Sequence, residues 1–201
     1  MSVHTRMRIW WIVVASLMAG AVWAVVGNEI ALTESAEQAE LKGDYAKAAT
    51  ARQRAIEYAQ RNLKSLQDPG ESAKAQRDKR LAQSVLDENK RWLAEDNAGG
   101  GKLVYVKEEM RFVSDCSAGM KSLEAKWRQA KQNGGDAAKA KQAAVDCYAQ
   151  KVTVLRQKIQ ERNADVEAKR QGYATREIEA TYMRGVLHRW EWGLAELRAA
   201  R

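Results

Sequence analysis

The side chains that could carry chemistry are few and far apart. Cys116 and Cys147 are the only cysteines, and His4 and His188 the only histidines, among 201 residues. A zinc-type site needs three or four converging ligands, which this set does not supply. The cysteines have no Cys-x-x-Cys spacing and no nearby histidine to lower a thiol pKa, so a redox pair is not indicated. Gly99-Gly100-Gly101-Lys102 has the glycines and lysine of a phosphate loop, but Leu103 occupies the required Ser/Thr place and the upstream glycine is missing. It reads as a linker. His188 has Glu191 one helical turn away, a common exposed pairing. The carboxylates alternate with Lys and Arg at helical spacing, the pattern of surface ion pairs. The expectation is a chain that is not an enzyme, with no catalytic residue, metal, cofactor or small-molecule substrate.

The elements that position these groups are helical. One proline and one phenylalanine in 201 residues, with Ala, Glu, Lys, Gln and Arg throughout, point to long helices rather than a sandwich or barrel. Seven tryptophans and a steady supply of Leu, Ile and Val are enough to bury a core. Breaks fall at Asp68-Pro69-Gly70, Asn97-Ala98-Gly99-Gly100-Gly101, Asn133-Gly134-Gly135-Asp136 and Gly172. Between them helical patterns run over about 30–67, 71–96, 103–132, 136–171 and 173–200. Leu103-Val104-Tyr105-Val106 has a strand's composition, but its run into Lys107-Glu108-Glu109-Met110 favours a helix start. The fold class is therefore all-α, an N-terminal transmembrane helix followed by long antiparallel helices in a bundle or an extended hairpin domain.

The clearest stripe is Val113, Cys116, Met120, Leu123, Trp127 and Ala130, three and four apart. Its partner is Val145, Tyr148, Val152, Leu155, Ile159 and Val166, interrupted by Arg162, across a Gly-Gly turn that makes an antiparallel hairpin. Facing residues in such a hairpin average to the turn centre near 134, whereas Cys116 and Cys147 average about 131.5. The mismatch is roughly 6 Å along the axis. A Cys116–Cys147 disulfide is still expected, because two free thiols are the less usual arrangement in an oxidising compartment. It would stabilise by roughly 3 kcal/mol in the chain-entropy picture.

The compartment follows from the first thirty residues. After a short tail at 1–8, an apolar run without charge extends from Ile9 to Gly27. Nineteen residues at about 1.5 Å each cover roughly 28 Å, close to a bilayer's hydrocarbon thickness. Trp10, Trp11 and Trp23 fall near its two ends, where indoles favour the headgroup region. Arg6 and Arg8 precede the run, and Glu29, Glu34, Glu37 and Glu40 follow it, so the positive-inside rule puts the N-terminus in the cytoplasm and 28–201 outside. A bacterial inner-membrane protein with a periplasmic domain fits. The rival is a cleaved signal peptide, since Ala19-Gly20-Ala21 has the small-x-small form of a cleavage site. Ser16, Gly20 and Ala24 recur every four residues, a stripe on which a second membrane helix could pack closely.

Within 28–68, Gly43-Asp44-Tyr45-Ala46-Lys47-Ala48, with Leu32, Ala36, Ala39 and Ala55 at spaced packing positions, resembles one tetratricopeptide repeat over residues 32–60. Arg52 stands where that repeat has a large apolar residue, Ala39 replaces an aromatic, and Gln60 replaces the terminal proline. No second copy follows, although such arrays generally need about three. The resemblance implies a helical hairpin built into a different bundle and, functionally, protein–protein contact, with Tyr45 a candidate contact residue.

The net charge of +8 is spread along the chain. Arg52, Arg54, Arg61 and Lys64 form one cluster and Lys74, Arg77, Lys79 and Arg80 another, both read as solvated faces, with anionic lipid or an acidic partner as the alternative. No nucleic-acid motif is visible. At the C-terminus Met183, Val186, Leu187, Trp190, Leu194 and Leu197 share a face, while Trp192 lies about 200° from Trp190. Trp190 and Trp192 are thus candidates for partner binding, unless Trp192 packs under another helix of the bundle. The units expected are a repeat-like hairpin at 28–68, a helix at 71–96 and a hairpin plus C-terminal helix at 103–201. The function they suggest is a membrane-anchored structural subunit of a larger inner-membrane complex, with integral membrane proteins and the bilayer as partners. A periplasmic adaptor or chaperone-like module is the alternative.

Overall fold

Local signals in the chain set where each helix starts and stops. The computed structural model describes residues 27–66 and 72–200. Helix α1 covers 27–41 and ends at Gly43, whose φ of +79° suits glycine. Asp44 then caps α2 (Tyr45–Ser65), its side chain accepting from the Lys47 N–H at 3.1 Å. Ser72 caps α3 (Ala73–Asn97) in the same way, accepting from the Ala75 N–H at 3.2 Å. Leu103–Val106 is a 3₁₀ turn leading straight into α4 (Lys107–Asn133), as the run into Lys107 suggested. Gly134, left-handed at φ +72°, closes α4, and Asp136 opens α5 (Ala137–Glu167) by accepting from the Lys139 N–H at 2.9 Å. Helix α5 stops short of the expected 171, where Lys169 turns left-handed, and α6 runs Tyr173–Ala199.

The all-helical class stands: no strand occurs among the described residues. Helices α4, α5 and α6 pack on one apolar seam. Met110, Val113, Cys116 and Met120 of α4 meet Tyr148, Val152, Leu155 and Ile159 of α5 and Met183, Val186, Trp190, Leu194 and Leu197 of α6. Leu103 and Val106 of the 3₁₀ turn close the seam beside Trp92. The other half differs. Helices α1, α2 and α3 approach through Ala36, Ala39, Ala48, Ala51, Ala55 and Ala59, with a smaller apolar cluster of Ile56, Leu81, Val85 and Leu86.

The expected disulfide is absent: Cys116 is buried and Cys147 half-buried, and both are free thiols. Helix α4 ends at Asn133 and α5 begins at Ala137, so opposite residues average about 135, further from the cysteines' average of about 131.5 than the turn in the sequence suggested. The offset exceeds the α-carbon separation of about 4–7 Å that a disulfide spans. The span 9–27 lies outside the described residues except for Gly27, and with it Trp10, Trp11, Ser16, Gly20, Trp23 and Ala24. Among the described residues no helix is long and apolar enough to cross a membrane.

Candidate functional site

A groove of about 840 Å³ runs between α1, α4 and the end of α6. Ile30, Val113, Met120, Trp127, Trp190 and Leu197 supply its apolar surface. Its polar crossings are specific. Lys121 of α4 pairs with Glu34 of α1 and the Tyr148 hydroxyl donates to Glu124, while outside the groove lining the Gln38 amide of α1 donates to Ser114 Oγ of α4 at 2.9 Å. Gly193 lets the Tyr148 ring lie against α6: a Cβ there would meet its Cε1 at 3.1 Å. Gly27, the residue that follows the apolar N-terminal run, also lines the groove.

Two buried ionic clusters join α1 to its neighbours, and Glu37 and Arg189 of the first also line the groove. Arg189 of α6 pairs with Glu37 of α1 and, at 2.5 Å, with Glu88 of α3. Arg52 of α2 donates to Glu40 of α1 at 2.6 Å, to Asp96 at 3.1 Å and to Asn89 at 3.1 Å. Asn89 in turn donates to Thr33 Oγ1 at 2.9 Å. Each cluster therefore sets two carboxylates against one guanidinium. In a buried place that imbalance favours proton uptake on one carboxyl. Burial pushes Glu37 up to about 7, against the pull of Arg189 and with the push of Glu88. Burial likewise raises Glu40 to about 7, with Arg52 opposing and Asp96 adding to it. Glu29, which accepts from the Asn62 amide at 2.9 Å and has no cation at contact distance among the described residues, is held up at about 7 by burial. Glu40 Oε2 and Asp96 Oδ1 are buried without a hydrogen-bond partner, and a proton on either carboxyl would supply a donor.

A third cluster joins the far ends of the apolar half. Arg162, which interrupts the α5 stripe in the sequence, donates to Glu179 of α6 at 2.5 Å and to Glu109 of α4 at 2.9 Å. Burial works against its charge, and the two carboxylates outweigh it and raise its pKa.

The residues singled out in the sequence lie in different places. Trp190 is buried in the seam. Trp192 is half-buried against the α2–α3 cluster, with its indole N–H donating to Asp78 at 2.9 Å, so it packs under α3. Both indoles nonetheless line the groove. Tyr45 lies against Gly100, where a side chain would strike its ring, and so braces the α3–α4 connection. Arg52, expected on a solvated face, is fully buried, and Glu29, Glu37 and Glu40 are core groups rather than surface acids. Sequence reasoning passed over Glu29-Thr33-Glu37-Glu40, although spacings of four, four and three mark one helical face.

His188 Nδ1 lies 2.7 Å from Ser84 Oγ, while Glu191 turns away to Arg156 at 2.5 Å. Both Ser84 and His188 are mid-helix, where backbone N–H groups are already bonded to the preceding turn, so the helix backbone offers the hydroxyl no oxyanion donor. The pair is a hydrogen bond between helices. Among the described residues no group of three or more His, Cys, Asp or Glu is arranged to hold a metal. Compared with protein-family models, curated proteins and solved structures, the chain finds no match.

Proposed function

We propose that this chain is a non-catalytic, membrane-anchored structural subunit whose exported helical domain stabilises a larger bacterial inner-membrane complex. The observation that carries this reading is the groove between α1, α4 and α6. It is apolar along its floor, bridged by polar pairs, and lined by Gly27 at the point where the apolar run enters the domain. A partner helix emerging from the same bilayer would reach that groove without crossing the rest of the domain. Three indoles and a methionine there are the kind of surface that anchors helix-in-groove contacts.

Mild-detergent extraction of the tagged chain, with mass spectrometry of the eluate and of its own N-terminus, tests the reading. A fixed set of membrane proteins at comparable amounts, with residues 1–27 retained, supports it. Ala31 is exposed and lines the groove. Ala31→Trp should therefore fill the groove and release that set while helix content is unchanged. A chain starting near Val22, with a scatter of substoichiometric clients, would overturn the reading in favour of the periplasmic adaptor.

A further inference from the structure

Among the described residues, the up-and-down course of the helices gathers one end of each of α2 to α6 at the end where Gly27 lies. Glu29, two residues after Gly27 in α1, meets Asn62 near the end of α2. Arg77 near the start of α3 meets Glu196 near the end of α6 at 2.5 Å. Lys141 near the start of α5 donates to the Ala200 carbonyl at 2.6 Å. The α4–α5 turn at Gly134–Gly135 follows Lys131 and Gln132, which line the groove together with Gly27 and Ala200.

Charge divides sharply between the two ends. In residues 27–33 of α1 and the seven terminal residues of each of the other helices at the Gly27 end there are ten Lys and Arg against three carboxylates. Those three, Glu29, Asp78 and Glu196, are all buried. The connections there add only Asp68, Glu71 and Asp136 in the sequence, and Asp136 is engaged as the α5 cap. At the opposite end the same count gives six Lys and Arg against eleven carboxylates. Lys64, Lys79, Lys139 and Arg198, from four different helices, are exposed at the basic end, and among the described residues none has an ion-pair partner.

We propose that this basic end is a docking surface for anionic phospholipid headgroups, which holds the domain upright on the bilayer. The inference rests on the membrane-anchored reading, because the apolar run joins the domain at Gly27 and so brings this end, not the acidic one, to the membrane. Each Lys or Arg near an anionic leaflet contributes about 1 kcal/mol, fading within a Debye length. Four unpaired cations on four helices therefore restrain tilt as well as distance. A docked domain carries the groove beside them at the height where a partner's membrane helix emerges.

The test is lysine acylation of the full chain in lipid nanodiscs, read by mass spectrometry, with phosphatidylcholine alone or with added phosphatidylglycerol. Lys64, Lys79 and Lys139 should lose reactivity about threefold only in the anionic discs, and regain it near about 0.5 M NaCl as screening shortens the Debye length. Lys42, Lys90, Lys102 and Lys169 at the other end should react equally in both. Equal labelling of the first set in both discs would overturn the docking and leave the basic end to an acidic protein partner. A chain that does not stay in neutral discs sinks the anchor but leaves the docking standing if anionic discs still protect the basic end. Binding to neither disc sinks both.

Discussion

Where α4, α5 and α6 meet, the chain buries methionine, leucine, valine and tryptophan; where α1, α2 and α3 meet, it buries alanines and Arg52 between two carboxylates, and Arg189 reaches over from α6 between Glu37 of α1 and Glu88 of α3. The apolar seam is non-directional, and its neighbours relax in part around a lost contact. The charged half has no such tolerance, since removing one partner leaves an ion in a dry place. Helix α1 is thus docked by polar geometry. It is also the helix that joins the apolar run to the domain and forms one wall of the groove.

The largest expected effect breaks this contrast at its centre. Arg52→Met leaves Glu40 and Asp96 buried without their cation and should cost about 3–5 kcal/mol in urea unfolding. A loss below about 1 kcal/mol would mean that protons, rather than the guanidinium, hold the cluster. In the apolar half, Leu155→Ala at a fully buried position should cost about 2–5 kcal/mol, the same at acid and neutral pH. A pH-dependent loss there would erase the distinction between the halves. Gly185 faces Glu88, and a Cβ there would meet that carboxyl carbon at 2.5 Å. Gly185→Ala should push Glu88 off Arg189 and cost about 1–3 kcal/mol, with an unchanged melting temperature as the contrary outcome.

The pH dependence sharpens the comparison further. Glu29, Glu37 and Glu40 are held at about 7 in the folded chain against an ordinary 4.5. Raised carboxyls contribute their stability in full below the ordinary value and lose it as the pH climbs through about 7. Thermal stability should therefore decline between about pH 5 and pH 8. Glu29→Gln keeps an acceptor for Asn62 and removes the charge, so it should gain about 1–2 kcal/mol at about pH 8 and little near pH 5. A flat pH profile in the parent chain would refute the origin given for that gain. The smallest effect is none: a thiol reductant should leave the melting temperature unchanged, because Cys116 and Cys147 are not joined.

Much of the fold was legible because its signals are local. The α4 and α5 stripes and the Gly134–Gly135 turn depend on residues within a few positions of one another. The site was not legible in the same way. Arg52 and Arg162 read as departures from apolar patterns, yet each is the centre of an ion cluster joining three helices. A charge at an apolar position marks either a defect or a partnered core group, and only its cross-helix neighbours decide which. The groove was equally hidden, since α1 and α4 are far apart in the chain. The disulfide failed for a related reason, because compartment chemistry argued for it while the register set by the turn kept the sulfurs apart.

By itself the sequence determined the helical class, the order of the helices and most of their boundaries, since periodicity and caps act over one or two turns. It also carries the apolar run that the proposed function depends on. Only the tertiary structure decided which polar faces are buried and which cations share a surface. The acidic stretch after the apolar run, which sets the expected topology, is largely folded into the core. Ten basic residues of α2 to α6, scattered over more than a hundred positions, come together at one end. The physical reason is that a helix defines its faces from within, but burial and shared surface are set by neighbours brought alongside by chain reversals.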